Sequence, residues 1–216
     1  MSAYLTIDDA PSPDLRETLD LLAEYDVPAL LFCEGRRLAN HPGLAREAIE
    51  AGVHLGNHAY SHTHASLLLP SAFRDEVART EAAIDAVYEA AGVERPARVF
   101  RFPYGDRGKS RAHRYQHVLA EFGFEAPDPP TGGAEGRGHN WEPGRDWGWT
   151  LDLRDWNVDS PAELQAQIET RVDGRTPASP DVVLFHDSGT DPELLETLLD
   201  AFESRNVEFE DPLDLL

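Results

Sequence analysis

Cysteine, lysine and long apolar runs are scarce in this sequence, and each shortage excludes a class of protein. A single cysteine, Cys33, cannot form an intrachain disulfide. Lys109 is the only lysine, and 40 acidic residues outnumber 19 lysines and arginines, which gives a formal net charge of -21. A field of that sign repels nucleic acid and anionic membranes, so neither is expected as a partner. No run reaches transmembrane length and no secretory leader pattern is visible, so we expect a cytoplasmic protein.

The acidic residues are spread along the whole chain, mostly beside helical apolar positions. An acidic tail or binding face would instead concentrate them in one stretch. Dispersed negative charge predicts adaptation to high salt, because screening by ions weakens the self-repulsion. The hydrophobic fraction of 41%, with four Trp, six Tyr and nine Phe, suffices for the core of one domain over residues 1–216.

Short β-rich apolar segments alternate with segments of helical periodicity. The predicted strands are 3–7, 27–33, 53–55, 98–102, 149–151, 181–185 and 207–209, and the predicted helices are 14–25, 44–51, 70–91, 112–122, 161–172 and 191–204. Such alternation predicts parallel strands joined by crossover helices, and hence an α/β protein. Residues 127–145, rich in proline and glycine, are predicted to form a long loop of the kind that is often functional.

Chemically capable side chains follow the predicted strands. They are Asp8, Asp9, His58, His62, Tyr104, Asp155 and His186. The carboxyl ends of parallel strands gather at one edge of an open sheet or barrel, where active sites lie. We therefore expect these side chains to meet in one site.

His58 and His62 are four residues apart. On a helical turn this spacing places both rings on one face, a common way to present two nitrogen ligands to a transition metal, and it excludes His64. Asp9 would complete a set of two histidines and one carboxylate, which leaves a coordination position open for a hydrolytic water. The alternatives are surface or capping histidines and an Asx turn at Asp8 and Asp9.

Acid–base chemistry beside such a centre has candidates too. Asp8 is a candidate base, and Arg101 at a strand end could pair with it and keep it ionised. A carboxylate at Asp155 that binds one nitrogen of His186 raises the basicity of the other nitrogen, which suits a general acid for a leaving amine. The alternatives are a surface arginine at 101 and a polar strand-end histidine that bonds Asp187.

Five motifs, taken in order, resemble the polysaccharide deacetylases (NodB-homology domain, carbohydrate esterase family 4). The motifs are Thr6–Asp9, Asn57–His62, Arg101–Gly105, Trp149–Trp156 and Leu184–Asp187. The resemblance runs from about Tyr4 to Leu213. It implies a distorted (β/α)7 barrel in a single domain, and a metal-dependent hydrolase that removes acetyl groups from an N-acetylated sugar or oligosaccharide.

The resemblance also implies metal and base residues. Asp8 would be the catalytic base, positioned by Arg101. Asp9, His58 and His62 would bind one divalent metal ion, commonly zinc, with cobalt, nickel or manganese as alternatives.

The other roles that the resemblance implies concern the leaving group and the substrate. His186 would be the general acid, tuned by Asp155. The backbone N–H of Tyr104 would help hold the oxyanion, Trp156 would line the site, and Leu184 would help form the pocket for the acyl methyl group.

Two departures from the family pattern bear on the site and the substrate. The family usually has glycine where Ala10 stands, so a positive φ there would strain the loop after Asp9. The 127–145 loop is longer than the usual connection and could cover the substrate groove, with His139 and Trp141 as possible contacts. There are two alternatives to sugar deacetylation. The same catalytic residues would act on a small linear or cyclic amide, or the chain would be a carbohydrate-binding relic of the fold without catalytic activity. The sequence does not give the oligomeric state.

The dispersed acidic charge predicts that the folded protein is more stable in molar potassium chloride than in dilute buffer. The Debye length falls from about 30 Å at 0.01 M salt to about 3 Å at 1 M, which weakens repulsion between carboxylates. We expect the thermal unfolding midpoint to rise along this salt series. An unchanged midpoint would contradict the high-salt interpretation.

Overall fold

A parallel sheet forms the centre of the molecule in the computed structural model, which describes residues 2–128, 142–172, 180–187 and 191–216. The strands are β1 Ser2–Ala10, β2 Ala29–Cys33, β3 His54–Asn57, β4 Leu151–Asp152, β5 Asp181–His186 and β6 Glu208–Phe209. Their order is β3-β2-β1-β5-β4, and β6 pairs with the first two residues of β1. All pairings are parallel. The predicted α/β class is therefore confirmed.

Helices connect the strands within the described ranges. They are α1 Leu15–Glu24, α2 Gly35–Asn40, α3 Pro42–Glu50, α4 Pro70–Ala91, α5 Ala112–Glu121, α6 Pro161–Val172 and α7 Pro192–Glu203. Short 3-10 turns occur at Ala65–Leu67, Pro103–Gly105, Lys109–Arg111, Asp155–Asn157 and Pro212–Leu215. The bounds of α4 and α6 match the prediction. The unpredicted α2 has only six residues and buries only Gly35 and Leu38, too few to show a helical period. Among the described helices, none combines the length and apolarity needed to cross a bilayer.

The prediction of a strand over residues 98–102 is wrong, because this segment forms only an isolated parallel bridge between Asn57 and Phe100. Asn57 N–H donates to Val99 O at 2.8 Å, and Arg101 N–H donates to Asn57 O at 3.0 Å. On the other side, Trp147 N–H donates to Phe100 O at 2.7 Å. Isolated backbone hydrogen bonds thus extend the sheet past β3, so this side of the sheet is irregular.

Successive side chains of strand β1 pack into two different hydrophobic clusters, one on each face of the sheet. Leu5 and Ile7 pack in the larger cluster, which includes the inner faces of α1, α3 and α7, whereas Tyr4 packs with Phe32 and Trp147 in a smaller cluster. The side chains of β1 are therefore buried on both faces, as expected for a central parallel strand.

The central position of β1 predicts a large loss of stability when its packing is cut. Leu5 has no exposed surface, so Leu5→Ala leaves a cavity and should lower the free energy of unfolding by about 2–5 kcal/mol. Leu67→Ala is the matched control, since Leu67 is 75% exposed and its truncation should change stability by less than about 0.5 kcal/mol. Equal losses in urea unfolding would contradict this assignment of the core.

Candidate active site

A cavity of about 430 Å³ lies at the edge of the sheet where β1 and β5 end. Its lining residues are Asp8, Asp9, His58, His62, Tyr104, Trp149, Asp152, Trp156, Leu184 and His186. The motifs predict all of these as site residues except Trp149 and Asp152. Both lie at or beside an end of the predicted strand 149–151, and this position could have marked them as candidate site residues. The two remaining predicted residues, Arg101 and Asp155, are buried behind the wall.

Three ligand-type atoms converge in this cavity. Asp9 Oδ1 lies 3.0 Å from His62 Nε2 and 3.5 Å from His58 Nε2. The three residues form a group whose ligand atoms all lie within 4.8 Å of one another. Asp9 Oδ1 is buried, and within the described ranges no well-aligned hydrogen-bond donor satisfies it. Two imidazole nitrogens and one carboxylate oxygen fit a divalent cation such as zinc.

The charge state of Asp9 suits that use. Burial opposes ionisation, but the hydrogen-bonding contact with His62 and the electrostatic influence of His58, His62 and His186 outweigh it and lower the pKa of Asp9 below its usual range. Burial is the largest influence on His58, whose pKa is lowered despite the nearby Asp8 and Asp9. A neutral imidazole and an ionised carboxylate are the forms that bind metal.

The segment 58–62 is not a helical turn, so the prediction that a shared helical face brings the two histidine rings together is wrong. It is an irregular loop after β3, with Ala59 and His62 in the left-handed region at φ of 59° and 54°. The rings still approach to 5.0 Å between centroids. His64 lies outside the group because it stacks on the Tyr104 ring at 3.9 Å.

The Nδ1 atoms of His58 and His62, which point away from Asp9, have different hydrogen-bond partners. His58 Nδ1 is 2.9 Å from the backbone oxygen of Arg101, which can only accept, so Nδ1 carries the proton and Nε2 keeps its lone pair. His62 Nδ1 is 3.1 Å from the hydroxyl of Tyr104. Contacts of this kind orient imidazole ligands.

Arg101 is fully buried, which excludes the reading as a surface arginine. Its Nη1 donates to Asp8 Oδ1 at 2.8 Å and to Thr6 Oγ1 at 2.9 Å, and its Nη2 donates to Gly148 O at 2.8 Å. The guanidinium carbon also lies 4.3 Å from the centre of the Phe32 ring. Asp8 is thereby held in one orientation beside a permanent positive charge.

His186 is held by Asp155. Its Nδ1 lies 3.1 Å and 3.2 Å from the two carboxylate oxygens, and its backbone N–H donates to Asp155 Oδ2 at 2.8 Å. Burial lowers the pKa of His186, but Asp155, followed by Asp8 and Asp9, overcomes this and raises it to about 9. The imidazole is therefore protonated at neutral pH in the metal-free protein.

The loop after Asp9 differs from the expectation for Ala10. Asp9 itself has a positive φ of 64°, whereas Ala10 does not. Asp187 secures this loop, because its carboxylate accepts hydrogen bonds from Ser12 N–H and from Thr18 Oγ1. This also excludes the reading in which Asp187 is the partner of the His186 ring.

Two aromatic side chains flank the cavity. Tyr104 is 59% exposed and Trp156 is 57% exposed, whereas Leu184 is buried in the wall. Residues 129–141 of the predicted loop, with His139 and Trp141, lie outside the described residues. The segment that follows is fixed by Asp146, whose Oδ1 accepts hydrogen bonds from Arg107 and Gln116.

Comparison with known proteins identifies relatives of this chain. A family model described as polysaccharide deacetylase matches residues 1–126. A chitooligosaccharide deacetylase of Bradyrhizobium sp. is 36% identical over 105 residues, which are 48% of this chain and 46% of the relative. The chitooligosaccharide deacetylase of Sinorhizobium fredii is 35% identical over 197 residues, 91% of this chain and 76% of the relative. The chain therefore spans just under half of the first relative.

Solved structures share the fold over nearly the whole chain. A family 4 carbohydrate esterase from Streptomyces lividans, in complex with acetate, has a TM-score of 0.71 at 24% identity, with 99% of this chain and 95% of that chain covered. A family 4 pseudoenzyme from Bacillus anthracis has a TM-score of 0.73 at 22% identity, with coverages of 99% and 64%. The predicted distorted barrel is confirmed, and the pseudoenzyme shows that this fold alone does not establish turnover.

The contact between Asp155 and His186 predicts a measurable change in proton affinity. In Asp155→Asn the negative charge is lost, so the pKa of His186 should fall from about 9 towards its ordinary value near 6.5, because the largest influence that opposes burial is removed. Imidazole NMR titration of the metal-free protein measures it. The control is Asp159→Asn, an exposed position on the same segment. A His186 pKa that stays near 9 in Asp155→Asn would contradict the assignment.

Proposed function

The chain belongs to the polysaccharide deacetylase family, and from this membership and the cavity geometry we propose that it is a metal-dependent hydrolase that removes the acetyl group from an N-acetylated sugar or oligosaccharide. One observation carries the proposal. The Asp9, His58 and His62 group lies in the same cavity as two further ionisable side chains, Asp8 and His186, each held by its own buried partner.

Asp9, His58 and His62 are the residues that would hold the cation. A divalent ion bound there supplies a Lewis acid that lowers the pKa of water and polarises the amide carbonyl. Zinc is our first choice because a mixed nitrogen and oxygen set suits a borderline cation, with cobalt, nickel and manganese as alternatives. Three protein ligands, rather than four, leave room for the reacting groups.

Asp8 is proposed as the base. Arg101 occupies its Oδ1, and its Oδ2 lies 3.6 Å from His58 Nε2, beside the proposed metal position. The adjacent guanidinium orients this carboxylate, whose Oδ2 can take a proton from the attacking water. The water oxygen then bonds to the carbonyl carbon of the acetamide.

His186 is proposed as the acid. Its Nδ1 is held by Asp155, so Nε2 is the nitrogen that serves the cavity. As the carbon–nitrogen bond breaks, His186 delivers its proton to the leaving nitrogen, and the products are acetate and the free amine. Tyr104 is proposed to hold the developing oxyanion with its backbone N–H.

The cavity walls support a sugar substrate. The exposed rings of Tyr104 and Trp156 suit the apolar face of a pyranose ring, and Leu184 offers a buried apolar surface to the acetyl methyl group. The acidic, lysine-poor composition supports work in concentrated salt. A salt-rich cytoplasm and a soluble oligosaccharide are therefore the setting that we propose.

Substitutions at His58 and His186 should separate metal binding from proton transfer. His58→Ala should lose both the metal and the release of acetate from N-acetylglucosamine oligomers. His186→Ala should keep the metal and lose about 10²- to 10⁴-fold in turnover. Bound metal is measured by elemental analysis and acetate by a coupled assay, with zinc added.

The matched control is His113→Ala on the exposed face of α5, which should keep both properties. Full activity in His58→Ala would end the proposal. Wild-type protein that binds zinc but releases no acetate from any N-acetylated sugar would favour a non-sugar amide or a relic instead.

A further inference from the structure

The loop that carries His62 is fastened to helix α4 by the carboxylate of Glu76. Glu76 Oε2 accepts hydrogen bonds from the backbone N–H of Tyr60 at 3.0 Å and of Ser61 at 2.7 Å. The Ser61 hydroxyl donates to the same carboxylate, 3.0 Å from Oε1 and 2.9 Å from Oε2. Three donors on two consecutive residues therefore converge on one charged side chain, and such hydrogen bonds are stronger than neutral ones.

This fastening matters because the loop is strained. Ala59 and His62 both have left-handed φ values, 59° and 54°, on either side of the two residues that Glu76 holds. A non-glycine residue in this region costs about 1–2 kcal/mol and persists only where its surroundings hold it. Successive backbone N–H groups in a turn form an anion-binding concavity, which Glu76 fills.

The two histidines depend on α4 to different degrees. His58 is fixed largely by main-chain groups, since its N–H donates to Cys33 O at 2.9 Å and its ring contacts Arg101 O. His62 lies beyond the sheet, and its Nδ1 contacts the hydroxyl of the exposed Tyr104 side chain. The backbone before His62 is therefore the part of the site that needs an external anchor.

We propose that Glu76 is a positioning residue for the metal centre. By holding the N–H groups of Tyr60 and Ser61, it keeps His62 Nε2 3.0 Å from Asp9 Oδ1, although Glu76 itself does not line the cavity. The inference rests on the proposed function, because it assumes that Asp9 and the two histidines bind the cation. It assigns to α4 a part in metal affinity that lies outside the five sequence motifs.

The test measures zinc affinity of the metal-free protein by competition with a chromophoric chelator, without any substrate. Glu76→Ala should weaken zinc binding about 10- to 100-fold, the usual effect of losing an outer partner of a metal ligand. Glu76→Gln should recover most of this loss, because its amide oxygen can still accept from the two backbone N–H groups. Asp75→Ala is the matched control, since the adjacent Asp75 is exposed and its loss should leave zinc affinity unchanged.

A second variant covers the case in which Glu76→Ala does not fold. Ser61→Ala removes one of the three donors and should weaken zinc binding about 3- to 10-fold, the usual net effect of losing one hydrogen bond. Wild-type affinity in the folded variants of both positions would overturn the role of Glu76. Absence of zinc binding by the wild-type protein would instead overturn the proposed function.

Discussion

The buried ion pair between Arg101 and Asp8 is the interaction on which the rest of the site depends. A guanidinium with no exposed surface is costly, and it is tolerated here because Asp8, Thr6 and the backbone of Gly148 accept its hydrogen bonds. The backbone oxygen of the same arginine receives the ring N–H of His58. One residue from an irregular segment thus orients both the proposed base and a proposed ligand. This explains how the segment can lack regular strand pairing and still be fixed in place.

The geometry of β1 explains how two adjacent carboxylates can have different tasks. Asp8 is still in register with His186 of β5, which brings the proposed base and acid to neighbouring strands. The pairing with β2 shifts between Asp8 and Ala10, and Asp9 has a left-handed φ. A bulge of this kind redirects a side chain. Asp9 therefore reaches the two histidines, and Asp8 stays beside Arg101.

Sequence patterns predicted what depends on local periodicity and on parallel topology. The bounds of α4 follow from its helical period, and the meeting of the strand-end residues follows from the shared edge of parallel strands. The pairing of His58 with His62 was predicted for the wrong reason, because no local pattern reveals a loop whose conformation is held from outside. No sequence pattern pointed to a role for Glu76, since it lies on a long helix where a glutamate normally faces solvent. The irregular state of residues 98–102 was equally hidden, because Val99, Phe100 and Phe102 are residue types that favour a buried strand.

Two of the charged groups at the cavity have a close partner of opposite charge. Asp8 is matched by Arg101, and Asp155 is matched by His186, which its carboxylate keeps protonated. Of Asp8, Asp9 and Asp155, Asp9 is the one that faces only the imidazoles of the proposed metal group at close range. A bound cation would therefore meet a negative charge that neither of these two pairs neutralises at close range. Buried charges are stable when paired in this way, so the proposed acid, the proposed base and the proposed metal group can share one small cavity.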